Sequence, residues 1–312
     1  MHNIFIAGTG IWHPESKVTN EELVNSYNSY VENFNTVNKK SIDDGSVMSM
    51  EYSSAEFIEK ASNIKSRYFI DKEGSLDIDR MKPRVNNEHP DRLSFHAKVG
   101  VEAAKKAIKN AGITANQIDA VIVGTSHAPR NYPAVAIEIQ NEMGINGYAY
   151  DMLVGCSSTT FAINNAYSDI ASGLANAILV INPEINTPHV NFTHRDKHFI
   201  FGDGCAATVV QKDSKSEHAF KILDRKLFTQ FSNNIRSNYG YLNRAAVDAT
   251  SEDNLLFHQN GRGVFKDVCP LVASLISDQL EKNNIEPNNI SKFWLHQANG
   301  KMIRLITSKI LG

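Results

Sequence analysis

Cysteine is scarce in this sequence, with three among 312 residues. Cys156, Cys205 and Cys269 are odd in number, lie far apart and form no CxxC pair. This spacing excludes two common cysteine frameworks, because disulfide-stapled domains use several paired cysteines and zinc sites use closely spaced ones. The pattern is typical of a protein of the reducing cytoplasm, and we predict no metal site.

A long apolar segment and an excess of positive charge are also absent. No apolar run approaches the roughly 20 residues that a membrane-spanning helix needs, so we predict no membrane span. The 32 Lys and Arg residues are balanced by 34 Asp and Glu residues, which gives a net charge of −2. Nucleic-acid-binding proteins need a basic surface, so we exclude that class. The first residues, MHNIFIAGTG, enter a strand-like run without a basic leader, and we expect no signal peptide.

Strand-like and helix-like segments alternate through much of the chain. Short runs of β-branched and apolar residues indicate buried strands, and apolar residues that recur every three or four positions indicate helices. We predict strands over 3–10, 120–124, 148–154 and 177–181, and a tight glycine turn with Asp203 that enters a strand within 201–210. We predict helices over 91–110, 133–143 and 161–172, the last ended by Gly173, and a further helix start at Thr19, in the run TNEE (19–22). This alternation predicts βαβ units, a mainly parallel sheet and an α/β fold.

Two regions depart from this alternation. Residues 26–90 are rich in Asn, Ser and Asp, so we predict a polar insertion with one or two short helices, no second core and disorder within 35–50. From residue 213 a shorter series begins, with a strand over 220–223, an irregular polar segment over 228–253, a helix over 263–280, a strand over 290–295 and a helix over 301–311. The similar element order predicts two duplicated βαβ-type halves, residues 1–212 and 213–312.

The first candidate site residue is Cys156, in the stretch GYAYDMLVGCSSTTFAINNAYSDIASG (147–173). The predicted strand ends at Val154, Gly155 permits a sharp turn, and a helical apolar face begins at Phe161. Cys156 is therefore predicted to lie in a strand–turn–helix elbow at a helix N-terminus. Unpaired amides and the helix dipole there are expected to lower the pKa of the thiol and produce a nucleophile. The alternative is a small residue that only packs.

The other cysteines and a group of histidines favour structural roles. Cys205 lies among small apolar residues of a predicted strand, and Cys269 precedes Pro270, so we predict that both pack in the core. His189, His194 and His198 are predicted to occupy a solvated loop, since no carboxylates with metal-ligand spacing accompany them.

The second candidate site residue is His296, in the run WLHQAN (294–299). A predicted strand leads directly into it, and ligands bind beyond the carboxyl ends of strands in open parallel sheets. Cys156 is predicted at the equivalent end of its own strand, so both residues are expected to face one cleft. Histidine suits proton transfer or stabilisation of an enolate oxygen near neutral pH. The alternative is a histidine that only caps the following helix.

Five motifs occur together in this sequence: GTSHAPRNYPAVAIEIQNEMGI (124–145), AYDMLVGCSS (149–158), FGDGCAATVV (201–210), NGRGVFKDV (260–268) and HQANGKMI (296–303). With them the chain resembles the ketoacyl-ACP synthase III family of the thiolase superfamily over nearly its whole length. The segment SSAEFIEKASNIKSRYFID (53–71) is similar to the one that these enzymes place near the acyl-donor entrance. The resemblance implies a thiolase-like fold, with the two halves in α/β/α/β/α layers.

The resemblance also implies a mechanism, that of a decarboxylative Claisen condensation in fatty acid or related biosynthesis. Cys156 would take an acyl group from acyl-CoA as a thioester, and its amide would form half of an oxyanion hole. Malonyl-ACP would then lose carbon dioxide and attack as an enolate that His296 stabilises. Asn299 would contact the pantetheine arm and Lys301 would help dock the acidic carrier protein or phosphates, although both also fit an ordinary helix start.

The same resemblance implies partners: acyl carrier protein, acyl-CoA and a second copy in a cytoplasmic homodimer, with no permanently bound cofactor. Three departures from the family pattern are visible. Gly300 replaces the apolar residue usual after HQAN, and Asn63 stands where Gly is common. The family continues beyond a segment like SKILG (308–312), with an Asn that pairs with the His and a second oxyanion-hole amide, so we expect a fragment or a degraded member.

Two alternative functions follow from these departures. One is an acyltransferase or hydrolase that uses Cys156 without decarboxylation. The other is a truncated, non-catalytic partner that only dimerises with an intact synthase.

Overall fold

A computed structural model describes residues 3–86, 89, 91–238 and 255–312. Its strands and helices are, in chain order, β1 (Ile4–Trp12), β2 (Lys17–Thr19), α1 (Asn20–Val37), α2 (Lys39–Asp43), α3 (Ala55–Ser62), β3 (Ser66–Tyr68), α4 (Lys72–Leu76), α5 (Phe95–Ala111), β4 (Ala120–Gly124), α6 (Val135–Glu142), β5 (Tyr148–Met152), α7 (Ser158–Ser172), β6 (Ala177–Ile185), β7 (Asp203–Lys212), β8 (Phe220–Lys221), β9 (Ile235–Ser237), β10 (Phe257–Gln259), α8 (Gly261–Lys282) and α9 (Gly300–Leu311).

Contacts among the described residues group the chain into two compact units. The first comprises Met1–Pro14, Asn86–Ile185 and Asp203–Leu227, and the second comprises Glu15–Val85, Asn186–Gly202 and Phe228–Gly312. The predicted boundary after residue 212 does not coincide with this division, because β8 still pairs with β1 in the first unit. The duplication of the two halves stays a prediction, and part of the segment 228–253, which we expected to be irregular, lies outside the described residues.

The first unit is built on a six-stranded sheet with the order β5-β4-β6-β7-β1-β8. The strand β4 pairs in parallel with β5 and β6, whereas β7 pairs antiparallel with both β6 and β1. The prediction of a mainly parallel sheet is therefore wrong, and the sheet is mixed. The reason is the connection over residues 186–202, which holds a short 3-10 helix in place of a crossover helix, so β7 returns beside β6 in the opposite direction.

The core of the first unit forms where α7 packs on the middle of this sheet. All residues of β4 are buried, as the apolar run AVIVG predicts. The predicted face of α7 is confirmed, with Ala162, Ala166 and Ile170 buried against β4 and β6. The helix α5 begins later than predicted, because Ser94 and not Asp91 is its cap; the Ser94 hydroxyl accepts a hydrogen bond from the Ala97 amide at 3.2 Å.

The second unit contains a core that the sequence analysis did not predict. Its helix α1 begins as predicted, with a capping box in which the Glu22 amide donates to the Thr19 hydroxyl and the Thr19 amide donates to the Glu22 carboxylate. The segment 26–90 adds α2, α3, α4 and β3, so it is more structured than the predicted polar insertion. Its apolar residues combine with others distant in sequence into one buried cluster: Val18, Leu23, Val24, Ile58, Phe69, Met81, Val190, Phe192 and Phe199.

A further apolar cluster joins α8 and α9 in the second unit, with Cys269, Ala273, Ile306 and Ile310 at its centre. The strand predicted over residues 290–295 is wrong, since this segment is irregular and no described strand pairs with it. Phe293 and Leu295 nevertheless pack against the cluster, which explains the apolar pattern that suggested a strand. None of the described helices is both long and apolar enough to cross a membrane.

His96 in α5 gives the first unit a testable pH dependence. The side chain is buried, and neither ring nitrogen has a hydrogen-bond partner among the described residues. Burial, with a smaller contribution from His127, lowers the pKa of His96 to about 4. The unfolded chain, with a histidine pKa near 6.5, binds this proton first as the pH falls. The contribution of neutral His96 to the free energy of unfolding is therefore fully present above about pH 6.5 and falls as the pH approaches 4. At pH 5 the free energy of unfolding is lower by about 2 kcal/mol than at high pH.

Between pH 7.5 and pH 5, we expect the free energy of unfolding to fall less in His96→Phe than in the wild type. Urea unfolding at pH 7.5 and pH 5 measures the difference, and His218→Phe, at an exposed position, is the matched control. An identical pH dependence in the wild type and His96→Phe would contradict the assignment.

Candidate active site

The four predicted site residues divide between the two compact units. Cys156 belongs to the first unit, and His296, Asn299 and Lys301 belong to the second. Each group is described within its own unit. The expectation that Cys156 and His296 face one cleft stays a prediction.

The predicted elbow at Cys156 is present. The strand β5 ends at Met152, a single 3-10 turn spans Gly155–Ser157, and α7 starts at the next residue. Gly155 has a φ of 57°, a left-handed conformation that other residues adopt only with strain, so the predicted role of this glycine is confirmed. Cys156 thus lies in the turn directly before a 15-residue helix.

Ser158 holds this elbow closed. Its hydroxyl accepts a hydrogen bond from the Val154 amide at 3.0 Å and lies 2.7 Å from the carbonyl oxygen of Gly155 and 3.3 Å from that of Thr125. The residue is buried, so these contacts are shielded from water. Sequence reasoning identified Ser158 only as a small polar residue, because its partner Thr125 is distant in the chain. Ser158 is therefore a supporting residue for the position of Cys156.

Exposure separates Cys156 from the two other cysteines. Cys156 is exposed, whereas Cys205 and Cys269 retain 5% and 1% of their accessible surface. Burial raises the pKa of Cys205 to about 12 and also raises that of Cys269. A buried, protonated thiol is a poor nucleophile, so the predicted packing roles of Cys205 and Cys269 are confirmed. The alternative that Cys156 itself only packs is disfavoured.

The predicted electrostatics of Cys156 require a correction. Desolvation by the surrounding protein, followed by the negative charge of Glu184, raises the pKa of the Cys156 thiol, and the residue's own backbone amide only partly offsets them. The expectation that the helix N-terminus lowers this pKa is therefore wrong in direction. Solvent reaches the residue, but protein close around it still disfavours the charged form. A thiol of this kind reacts through a small thiolate fraction, which grows as the pH rises.

Glu184 is a site residue that sequence reasoning missed. It lies near the end of β6, where its carboxylate accepts a hydrogen bond from the Ser126 amide at 2.9 Å. This contact joins the ends of β6 and β4, the same edge of the sheet at which α7 begins. No local sequence signal indicates it, because Glu184 and Ser126 are 58 residues apart.

Removal of the Glu184 charge is expected to make Cys156 more reactive. Glu184→Gln keeps an oxygen that can accept from Ser126 but removes the charge that disfavours the thiolate, so the pKa of Cys156 should fall. We expect alkylation of Cys156 by iodoacetamide at pH 7.5 to accelerate about threefold, because a larger fraction of the thiol is ionised. Peptide mass spectrometry measures the rate, with Glu142→Gln as an exposed control. A rate unchanged or lowered in Glu184→Gln would contradict this assignment.

His296 is exposed and lies in an irregular segment just before α9. Desolvation lowers the pKa of its imidazole below the ordinary histidine value, so the ring is neutral at physiological pH. A neutral imidazole carries one N–H donor and one acceptor nitrogen, and it can therefore stabilise a developing oxyanion or exchange a proton. The alternative that His296 caps the following helix is wrong, because another residue performs that task.

That residue is Asn299, which is the N-cap of α9. Its side-chain oxygen accepts hydrogen bonds from the amides of Lys301 at 2.8 Å and Met302 at 3.4 Å, and its amide donates to the carbonyl oxygen of Ala61 at 2.9 Å. Both polar atoms of Asn299 therefore have structural partners, and its contact with a pantetheine arm stays a prediction. Lys301 is exposed in the first turn of α9, where its charge faces solvent.

The histidine loop over 187–202 differs from the predicted solvated loop at one position. His198 is buried and stacks on Tyr27 with ring centroids 4.5 Å apart, and burial lowers its pKa to about 4. This ring belongs to the packing of the second unit. Asp203, which we expected in a turn, is also buried, as the first residue of β7. Over residues 3–86, 89, 91–238 and 255–312, no cluster of His, Cys, Asp and Glu side chains suits a metal ion.

Comparisons with known proteins point to one family. A family model described as 3-oxoacyl-[acyl-carrier-protein (ACP)] synthase III matches residues 150–230, a range that includes Cys156. A β-ketodecanoyl-[acyl-carrier-protein] synthase of Pseudomonas aeruginosa is 48% identical over 289 residues, which are 92% of this chain and 83% of that protein. A β-ketoacyl-[acyl-carrier-protein] synthase III of Bartonella tribocorum is 31% identical over 233 residues, 72% of this chain and 68% of that protein.

Solved structures of similar enzymes share the fold. A 3-oxoacyl-[acyl-carrier-protein] synthase III of Aquifex aeolicus has a TM-score of 0.71 at 24% identity, with coverage of 99% of this chain and 80% of that chain. A 3-oxoacyl-(acyl carrier protein) synthase III of Pseudomonas aeruginosa has a TM-score of 0.74 at 17% identity, with the same coverage. The predicted thiolase-like α/β fold class is therefore confirmed.

Proposed function

The chain belongs to the 3-oxoacyl-[acyl-carrier-protein] synthase III family, and from this premise we propose that it is a condensing acyltransferase with Cys156 as its nucleophile. The observation that carries the proposal is the exposure of Cys156 in the turn before α7, whereas Cys205 and Cys269 are buried. The proposed donor is an acyl-CoA, the proposed acceptor is malonyl-ACP, and the product is a 3-oxoacyl-ACP of fatty acid or related biosynthesis.

In the proposed first half-reaction, the Cys156 sulfur attacks the carbonyl carbon of acyl-CoA. The thiol proton passes to solvent or to a base as the C–S bond to Cys156 forms, and the C–S bond to CoA breaks. CoA leaves as a thiolate that takes up a proton, and the acyl group remains on Cys156 as a thioester. A thioester intermediate is compatible with the raised pKa of the Cys156 thiol, because the acylated sulfur atom carries no charge.

In the proposed second half-reaction, malonyl-ACP loses carbon dioxide when the bond to its terminal carboxylate breaks. The electron pair forms an enolate, whose oxygen accepts a hydrogen bond from the neutral imidazole of His296. The enolate carbon attacks the acyl thioester, the new carbon–carbon bond forms, and Cys156 leaves as a thiolate. The lowered pKa of His296 supports this role, since its ring is a neutral donor at physiological pH.

The partners follow from the same proposal. Acyl carrier proteins are acidic, and the exposed charge of Lys301 at the start of α9 suits the docking of such a partner or of its phosphate. We further propose a homodimer in the cytoplasm, where a reducing environment keeps the three cysteines as free thiols.

Product analysis in the presence of both substrates tests the proposed function. The protein, an acyl-CoA and malonyl-ACP should together yield 3-oxoacyl-ACP and carbon dioxide, which mass spectrometry and carbon dioxide trapping detect. Acylated Cys156 without release of carbon dioxide would support the acyltransferase or hydrolase alternative. A protein that is never acylated would support the non-catalytic partner and refute the proposal.

A further inference from the structure

The end of α3 and the start of α9 are in direct contact within the second unit. Asn63 is the C-cap of α3, with a left-handed φ of 68°, and Gly300 is the first residue of α9. A Cβ atom on residue 300 would lie 2.6 Å from the Cβ of Asn63 and 3.1 Å from its Cγ and Nδ2 atoms. Because real Cβ contacts are not that short, only glycine fits position 300 while Asn63 keeps its place.

A hydrogen bond next to this contact joins the same two elements. The side-chain amide of Asn299 donates to the carbonyl oxygen of Ala61 in the last turn of α3, at 2.9 Å. The turn over residues 296–300 is therefore attached to α3 at two adjacent points, one polar and one steric. Both points lie within four residues of His296.

The segment before His296 packs through Phe293 and Leu295 against the apolar cluster of α8 and α9. The preceding segment, residues 290–295, is irregular, and no described strand supplies it with a hydrogen-bond ladder. His296 itself is exposed. The residues that follow it are held against α3, so these contacts contribute to its position.

We propose that Asn63 and Gly300 form a matched pair that positions His296 for the condensation step. Gly300 leaves the space that the Asn63 side chain occupies, and Asn63 limits how the turn of residues 296–300 can shift along α3. The inference rests on the proposed function of His296. Asn63 and Gly300 are positioning residues, since they act through His296 and touch no reacting atom.

The two positions allow a clean set of substitutions. Gly300 has no left-handed backbone, and the three atoms nearest to an added Cβ all belong to the Asn63 side chain, so Gly300→Ala strains that contact first. Asn63→Gly removes that side chain and keeps the left-handed conformation without strain. In the double variant Asn63→Gly/Gly300→Ala, the new methyl group enters the space that Asn63 vacates. A double-mutant cycle therefore isolates the contact from other effects of each substitution.

Each variant is assayed for acylation of Cys156 by acyl-CoA and for formation of 3-oxoacyl-ACP from the acylated protein. We expect Gly300→Ala to slow condensation on the order of 10-fold, since small displacements of catalytic groups have large effects, and to leave acylation within about twofold of wild type. The double variant should recover most of the lost condensation rate. Gly261→Ala is the matched control, because Gly261 also follows an Asn N-cap at a helix start but has open space around it.

Equal slowing of both half-reactions in Gly300→Ala, or no recovery in the double variant, would overturn the inference. If the wild-type protein acylates Cys156 but forms no 3-oxoacyl-ACP, the proposed function itself fails. A second measurement then tests whether Asn63 and Gly300 position His296. The modification rate of His296 by diethylpyrocarbonate, measured on its peptide, should change in Gly300→Ala and return in the double variant. A rate equal in all four proteins would refute the matched pair independently of activity.

Discussion

Replacement of Cys156 by serine is expected to abolish acyl transfer from acyl-CoA, with a loss of up to about 10⁶-fold, the scale of removing a covalent nucleophile. A serine hydroxyl is hardly ionised at neutral pH and lacks the nucleophilicity of the thiolate fraction that Cys156 supplies. The fold should persist, because residue 156 is exposed and the change in volume is small. Intact mass after incubation with a short-chain acyl-CoA, followed by peptide mapping, measures the acylation.

The buried cysteines supply the control for this experiment. Cys205→Ala and Cys269→Ala should each keep the acyl group on Cys156, since their thiols are shielded from the donor. Acyl groups found on Cys205 or Cys269, with Cys156 unmodified, would show that the nucleophile is assigned to the wrong residue.

The second large effect is expected for His296→Ala, which should slow condensation about 100-fold, the scale typical of the loss of one oxyanion donor. Acylation of Cys156 should change far less, because no enolate forms in that half-reaction. Decarboxylation of malonyl-ACP and acylation of Cys156 are therefore measured separately on the same preparation. His218→Ala, at an exposed position, serves as the control.

Because the pKa of the Cys156 thiol is raised, the effect of His296→Ala on acylation shows whether His296 also takes the proton of Cys156. A protonated thiol needs a proton acceptor, and a neutral histidine is a competent one. If His296→Ala slows both half-reactions equally, His296 is the base for Cys156 and its assignment as an enolate donor is wrong.

Local sequence was sufficient to predict the elements that carry Cys156. Capping residues and glycines have position-specific roles that operate within a few residues, so Thr19 at the start of α1 and Gly173 at the end of α7 marked helix ends correctly. The buried run of β4 and the turn at Gly155 are equally local. The resemblance to a known family identified Cys156 and His296 together, where each alone allowed a structural interpretation.

Features that depend on contacts between distant segments were not predictable in this way. Strand direction in the sheet depends on how residues 186–202 return the chain, and no periodicity records it. The core of the second unit unites Ile58 and Phe192, which belong to segments far apart in sequence. The contact of Asn63 with Gly300 has the same character, since the sequence shows two unusual residues but not that they touch.

A single-turnover chase tests the central claim most directly. The protein is first acylated with isotope-labelled acyl-CoA, freed of excess donor and mixed with malonyl-ACP, and the fate of the label is followed by mass spectrometry. The account predicts that the label leaves Cys156 and is recovered in 3-oxoacyl-ACP, with one carbon dioxide released for each acyl group transferred. Label recovered as free acid or on the intact carrier protein, with malonyl-ACP not consumed, would contradict it.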